Sequence, residues 1–403
     1  MKKISLLALG LVFAFGANAQ MSVVKEAEKA MKGGESAEKV VAVITPAFTN
    51  PETKDLAQTW FVPGKASLND YKQFIGWKSV GKDVDDVKMS NLLLDAYKYY
   101  TTAFPLDSLP DAKGKVKPKY SKEMVNDLAG LVGDFTNAGV YLYKANDYKG
   151  AYRAWEIVAE MTEMPAVAKA LGQYMPGDTA LAEIAYNRAL AAWQIEDYPK
   201  ALDAFLYAKN HGFQNKTFYL QAIQMASNVG AQDTLLALAQ EALPLYGKEE
   251  PAFMGQIVNY YLQKKDYENA AATIDAAIQD DPANAQYYVV KGVLLEERDD
   301  EAGAKVAYTK ATELDSENAQ AQYNLGRMIY NEAYRLSDNA PAAQAEYDAF
   351  FAEKVEPLLK QAADVFEHAY DLDQDNPDTL KYLENIYYSL RDEAKLQDVQ
   401  NRK

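Results

Sequence analysis

Cysteine is absent from the 403 residues, and histidine occurs only twice. Without a thiol there is no disulfide framework and no lipid anchor on a cysteine at a cleavage site. His211 and His368 have no companion histidine three or four positions away, so no local motif assembles a nitrogen or sulfur metal site. Also missing are the G-x-S-x-G elbow, the G-x-x-x-x-G-K-[ST] loop and the G-x-G-x-x-G turn, so nothing implies a cofactor or an enzyme. Positive charge is scarce: 42 Lys and Arg face 58 Asp and Glu, a net charge of −16. That balance argues against nucleic acid or anionic lipid as a general partner, since both are negative themselves. Beyond the N-terminus no stretch approaches the ~18 consecutive apolar residues of a membrane span.

The N-terminus itself reads as a secretory signal. Met1-Lys2-Lys3 is followed by an apolar run over 4–15 and then by the small-x-small site Ala17-Asn18-Ala19. Cleavage after Ala19 removes two lysines and leaves a still more acidic chain. Its expected destination is the periplasm or the medium. With 49% hydrophobic residues the chain can bury ample core, yet it is longer than a typical single domain, which points to several domains or a repeat array.

A repeat is present. Aligned on a 34-residue unit, Asp147-Tyr148, Asp197-Tyr198, Asp266-Tyr267 and Asp300-Glu301 fall in phase, followed respectively by Ala151, Ala201, Ala270 and Ala304. Four positions on stand Trp155, Phe205, Ile274 and Tyr308, and three beyond those Val158, Ala208, Ala277 and Ala311. This A-x3-F-x2-A spacing places the three side chains on one helix face, small where a second helix must come close. Gly139, Ala189, Val258, Gly292 and Gly326 hold the matching small position of the preceding helix, and Pro282 closes a repeat where its missing N–H costs least.

The run Lys265-Asp266-Tyr267-Glu268-Asn269-Ala270, ending in Asp280-Asp281-Pro282-Ala283-Asn284, and the segment Tyr323-Asn324-Leu325-Gly326 resemble the tetratricopeptide repeat (TPR) consensus. The resemblance covers most of 132–397, with repeats near 132–165, 182–215, 216–250, 251–284, 285–318 and 319–376. In the last of these the second-helix alanine is Ala362 rather than position 338, an insertion of 24 residues expected to lengthen the hairpin around an Asn339-Ala340-Pro341 turn. Residues 377–397 read as one amphipathic capping helix, with Leu380, Leu383, Ile386, Tyr387 and Leu390 on one side. Residues 20–125 read as degenerate hairpins: a helix, a Gly33-Gly34 turn and a second helix over 22–50, then the second-helix spacing again at Ala96, Tyr100 and Ala103. The fold implied is all-α, a TPR-like right-handed α-solenoid of antiparallel hairpins with a C-terminal cap, similar to signal-bearing envelope TPR proteins of Gram-negative bacteria.

Such proteins bind other macromolecules along the first helices of the hairpins. The family register assigns this surface to Tyr143 and Lys144; to Tyr186, Asn187, Leu190, Trp193 and Gln194; to Gln256, Asn259 and Gln263; and to Tyr323, Asn324, Arg327 and Tyr330. Aromatic rings beside side-chain amides suit an extended peptide, and a glycan is the alternative ligand. The clamp by which some TPR domains grip a terminal carboxylate is not present: Asn259 holds one clamp position, but Gly255, Gln286 and Val290 stand where its partners would be. The expected function is a protein-binding scaffold of the cell envelope; a glycan or cell-wall binding protein is the alternative, and an enzyme with an unrecognised site within 22–125 ranks below both.

Two charged clusters need a reading. Asp371, Asp373 and Asp375 invite comparison with a calcium loop, but Asn376 replaces the required glycine, Pro377 follows, and Tyr382 stands where a bidentate carboxylate belongs. They read as an inter-repeat turn. Lys113, Lys115, Lys117, Lys119 and Lys122 form a basic loop in an acidic chain, either an anion-binding loop or a solvated hinge. The hinge is favoured, because Pro118 and charge repulsion keep it extended and no aromatic residue interleaves the run.

Overall fold

A computed structural model describes residues 21–110 and 113–402, so the expected signal peptide, 1–19, lies outside the described residues. Regular structure among them is helical, apart from one antiparallel bridge between Pro110 and Val116. The chain is an all-α array of TPR-like antiparallel hairpins, and it forms two compact units, one up to Phe218 and one from Tyr219. No described helix is long and apolar enough to cross a membrane.

In the first unit α1 (21–32) turns through Gly33 and Gly34 into α2 (Ala37–Ile44). The pair packs Val24, Ala27, Val40 and Ile44 against Val62 and Ala66 of α3 (Ala57–Ser79). Antiparallel to α3 runs α4 (Asp86–Asp107), and α5 (Ser121–Ala129) follows the lysine loop, so the boundary expected at 125/126 falls inside a helix. Then come the hairpin α6 (Val132–Lys144) and α7 (Tyr148–Glu163), a short α8 (Pro165–Leu171), and the hairpin α9 (Asp178–Gln194) and α10 (Tyr198–Asn210). The two units divide within α11 (Lys216–Asn228), which pairs in sequence with α12 (Gln232–Tyr246). The second unit continues through α13 (Ala252–Gln263) and α14 (Tyr267–Asp280), then α15 (Ala285–Glu297) and α16 (Glu301–Leu314). In the last long hairpin α17 (Ala319–Asp338) ends at the expected Asn339 turn. It leads through α18 (Gln344–Phe350) and a π-helical turn (Phe351–Val355) into α19 (Glu356–Leu372).

The aspartates that mark the repeat sit where a hairpin turns. Asn146, Glu196, Lys265 and Asp299 each have φ near +60°, and each precedes one of these aspartates. The N–H groups of Asp147, Asp197, Asp266 and Asp300 reach back five residues to a carbonyl of the first helix at 2.8–3.0 Å, closing a Schellman turn. Their carboxylates accept from the N–H of Gly150, Lys200, Asn269 and Gly303, capping the second helix.

The same arrangement corrects the expectation of one capping helix over 377–397. Arg391 has φ +57°, the Asp392 N–H donates to the Tyr387 carbonyl, and the Asp392 carboxylate accepts from the Lys395 N–H. The segment is therefore a truncated further hairpin, α20 (Pro377–Ser389) and α21 (Glu393–Asn401).

Across each hairpin a small first-helix residue meets a large second-helix one. A Cβ added at Gly139 would lie 2.3 Å from the Trp155 ring, and one at Gly292 would lie 2.4 Å from Tyr308. The N-terminal pair obeys the same rule, since a Cβ at Gly64 of α3 would stand 2.6 Å from Tyr100 of α4. Ala151, Ala201, Ala270, Ala304 and Ala362 are fully buried. We expect Ala270→Leu and Gly292→Ala each to cost about 1–3 kcal/mol by overpacking. Val306→Ala, at an exposed position of α16, should stay within about 0.5 kcal/mol of the parent. Urea unfolding followed by circular dichroism measures all three, and unchanged midpoints for the first two would refute this close-contact register.

Candidate functional site

In the first unit the first helices carry a face with no packing task. On α6, Gly133, Thr136, Asn137, Val140 and Lys144 follow one another at helical spacing, and none is buried. On α9 the corresponding stripe is Ala180, Glu183, Asn187, Leu190 and Gln194. The N-terminal parts of both helices open onto a cleft of about 820 Å³, completed by the end of α5 and by α8 with the short turn Gly172–Tyr174. Asn126, Thr136, Asn137, Leu171, Tyr174 and Glu183 line it, and Tyr174 is 77% exposed at its edge.

Sequence reasoning missed this cleft because it left 166–181 unassigned. The signal was available: Asp147 and Asp197 are 50 positions apart, against 34 for Asp266 and Asp300, and the surplus holds α8. Pro165 starts that helix with a preset φ, and Gly172 at φ +50° ends it.

The expected groove residues fall into three groups. Lys144, Gln194, Asn259 and Gln263 are exposed, while Asn187, Leu190, Trp193 and Gln256 are half-buried. The remaining six serve packing to a degree the sequence did not reveal. Tyr143 meets Tyr148 edge-on at 5.0 Å and leans over Trp155, Tyr186 stacks on Phe213 at 4.4 Å, and Tyr330 meets Tyr382 at 5.2 Å. Tyr323 meets Phe366 at 5.9 Å, Asn324 is buried, and Arg327 donates to the Glu296 carboxylate at 2.7 Å. The residues divide between the two units, Tyr143 to Gln194 in the first and Gln256 to Tyr330 in the second.

Buried tyrosines hold many of the carboxylates. Tyr97 donates to Glu160 at 2.8 Å, Tyr100 to Asp127 at 3.0 Å, Tyr387 to Glu367 at 2.8 Å, and Tyr308 to Glu296. Burial first, and the carboxylate second, push these phenols well above their ordinary range, so they remain donors. Burial would raise Asp127, but Lys65, Lys72 and Tyr100 together hold it below the usual carboxylate value. Asp134 beside Tyr71 goes the other way, raised because burial outweighs that one hydrogen bond. These pairs tie helices together. His211 meets the Asp178 carboxylate at 2.9 Å, and His368 meets the Ser316 carbonyl at 2.9 Å.

The lysine loop is pinned at its base. The Asp107 carboxylate accepts from the N–H groups of Lys119, Tyr120 and Ser121 and from the Ser121 hydroxyl, at 2.6–3.0 Å. Burial alone would raise its pKa; these four donors win and lower it. A depressed folded-state value means stabilisation that is present above the unfolded carboxylate pKa of about 3.9 and lost as the pH falls through the folded one. Asp107→Asn should therefore be less stable than the parent at pH 6–7, with the gap closing below about pH 4. A gap constant across acid denaturation curves would contradict this.

The Asp371, Asp373 and Asp375 segment forms an inter-repeat turn. The Asp373 carboxylate accepts from the Asp375 N–H and the Asn376 side chain from the Asp378 N–H, both at 3.1 Å. Asp281 with Asn284 makes the same pair of bonds between earlier hairpins, and Asp315 with Asn318 makes a close variant in which Asn318 accepts from the Ala321 N–H, three residues on. Because Asp373 Oδ1 and Asn376 Oδ1 are engaged by the backbone and Tyr382 stands where a bidentate carboxylate is needed, millimolar calcium or a chelator should leave the melting temperature unchanged. A calcium-dependent rise would show that this turn can be rebuilt around a cation.

No family model and no curated protein matches the chain. Among solved structures it is similar to a TPR repeats protein from Bacteroides fragilis, at 17% identity over 64% of this chain and 98% of that one, TM-score 0.33. It is similar to YrrB, described as a TPR protein with an unusual peptide-binding site, at 17% identity over 46% and 88%, TM-score 0.33. It is also similar to yeast Tom70, at 15% identity over 94% and 92%, TM-score 0.38. The turns and contacts of the chain itself carry its fold.

Proposed function

We propose that this chain is an exported, non-catalytic scaffold of the cell envelope that holds a segment of a partner protein on the outward stripes of α6 and α9. One observation carries the reading: these two first helices keep their outward faces free of packing and run into an open cleft of about 820 Å³. Asn137, Asn187 and Gln194 offer amides that both donate to and accept from an extended backbone, and Tyr174, Leu190 and Trp193 offer apolar surface for its side chains. The export half of the proposal rests on Lys2, Lys3, the apolar run and the Ala17-Asn18-Ala19 site.

A photo-crosslinking residue placed at position 137, 187 or 194 should trap one and the same partner in growing cells. Placed at Asp203, which is exposed on α10, it should not. Trp193→Ala should weaken that partner by about 2 kcal/mol or more with helicity intact, whereas neutralising Lys113, Lys115 and Lys117 should leave binding unchanged. Crosslinks from position 203 alone, or loss of the partner only in the lysine variant, would move the site elsewhere.

A further inference from the structure

The second unit holds a smaller cleft of different chemistry. It measures about 420 Å³, within the range of small-molecule sites, and lies where the first turns of α17 and α20 meet the end of α19. Its lining is mostly polar: Gln320, Asn324, Asp373, Asn376 and Thr379 surround it, with the Tyr323 ring and two alanines completing the wall. Asn324 is 8% exposed and Thr379 1% exposed, and their polar atoms still reach solvent, since Arg188 Nε is the buried side-chain atom left without a partner among the described residues. The amide and the hydroxyl therefore face water in the open cleft, and a ligand there replaces that water with hydrogen bonds of its own.

The chemistry narrows the ligand. No lysine or arginine lines the cleft, so a phosphate, sulfate or carboxylate would find no counter-charge and would face Asp373. Apart from Tyr323 only Ala319 and Ala369 are apolar, so a peptide side chain would find no pocket to anchor in. A hydroxyl-rich neutral ligand meets neither obstacle. Each hydroxyl both donates and accepts, which matches an amide, a hydroxyl and a carboxylate set around one cavity. The second Asp373 oxygen and the Asn376 amide N–H groups are not used by the turn, whose bonds go to Asp373 Oδ1 and Asn376 Oδ1. A tyrosine ring supplies the amphipathic surface that the C–H side of a sugar needs.

We propose that this cleft binds a neutral sugar unit, held by Asn324, Thr379 and Asp373 against Tyr323. The site is separate from the α6 and α9 stripes and does not rest on the partner-protein reading.

Saturation-transfer NMR on the mature chain, with glucose, galactose, mannose, N-acetylglucosamine and their common disaccharides as probes, tests it. At least one neutral sugar should bind saturably. Asn324→Ala and, independently, Thr379→Val should each weaken it about tenfold, the loss of one well-placed hydrogen bond, with the melting temperature retained. Thr379→Val preserves shape, so it decides the matter if Asn324→Ala is poorly folded. Asn187→Ala with Gln194→Ala in the first unit should leave sugar binding unchanged, so failure of either reading is scored without the other. The proposal is overturned if no probe binds, if both cleft variants bind like the parent, or if the cleft variants lose only a peptide ligand.

Discussion

The array depends on one residue performing two tasks at each hairpin turn. In Asp147, Asp197, Asp266, Asp300 and Asp392 the backbone N–H closes the first helix, and the carboxylate three atoms away opens the second. Only three residues then separate one helix from the next, so the helices must run antiparallel and in contact. The residue before each aspartate is forced to φ near +60°, and none of the five is glycine. A non-glycine residue in that region costs roughly 1–2 kcal/mol, and the paired caps on either side offset it. Where glycine takes the strained place, at Gly230, the next residue is Ala231 and the side-chain cap is gone. Strain and cap are traded together, which is why this hairpin matches the repeat only in part.

With the turn fixed, the distance between helices is set by size complementarity. Gly139 against Trp155, Gly292 against Tyr308 and Gly326 against Phe366 let backbone approach ring face directly. Larger first-helix residues would push the helices apart, and smaller second-helix ones would leave a void. This contact consumes one stripe of each first helix. The loop leading out of a hairpin consumes another, as where Tyr186 stacks on Phe213. What remains is a narrow outward stripe, and in the first unit it carries Thr136, Asn137, Asn187 and Gln194 beside the charged Lys144 and Glu183.

How much of this was legible follows from the same physics. The aspartate landmarks and the A-x3-F spacing are backbone and packing requirements, so they recur in sequence, and hairpins α6–α7 and α9–α10 through α15–α16 could be placed from them. The turn after Asp338 was legible because Asn and Pro punctuate it. The break at Arg391-Asp392 was not, because α21 lacks the alanine and aromatic that mark the other second helices, carrying Leu396 and Gln400 in their places. Outward aromatics were ambiguous for a deeper reason. Tyr143, Tyr186, Tyr323 and Tyr330 occupy groove positions by register, but whether a ring faces solvent or a neighbouring ring depends on residues in another helix, which spacing along one helix does not encode.

The openings in the array lie where its register is disturbed. The cleft of about 820 Å³ accompanies the 16 residues added between Asp147 and Asp197, and the polar one of about 420 Å³ follows the 24-residue insertion between Gly326 and Ala362. A third, of about 620 Å³, sits at the end of α12, where Pro244 removes a helix N–H and the interval from Ala231 to Asp266 is one residue long of 34. Regular repeats fill the space between their helices because each ring has a small partner one helix away. An added segment has no such partner prepared for it and must lie across the ends of helices already packed. The residues it exposes there are free to differ from repeat to repeat: Thr379 stands three residues after the turn asparagine, where Tyr287 and Ala321 stand in earlier repeats, whereas Asp373 repeats Asp281 and Asp315. Regularity accounts for stability in this protein, and the interruptions of that regularity open the clefts on its surface.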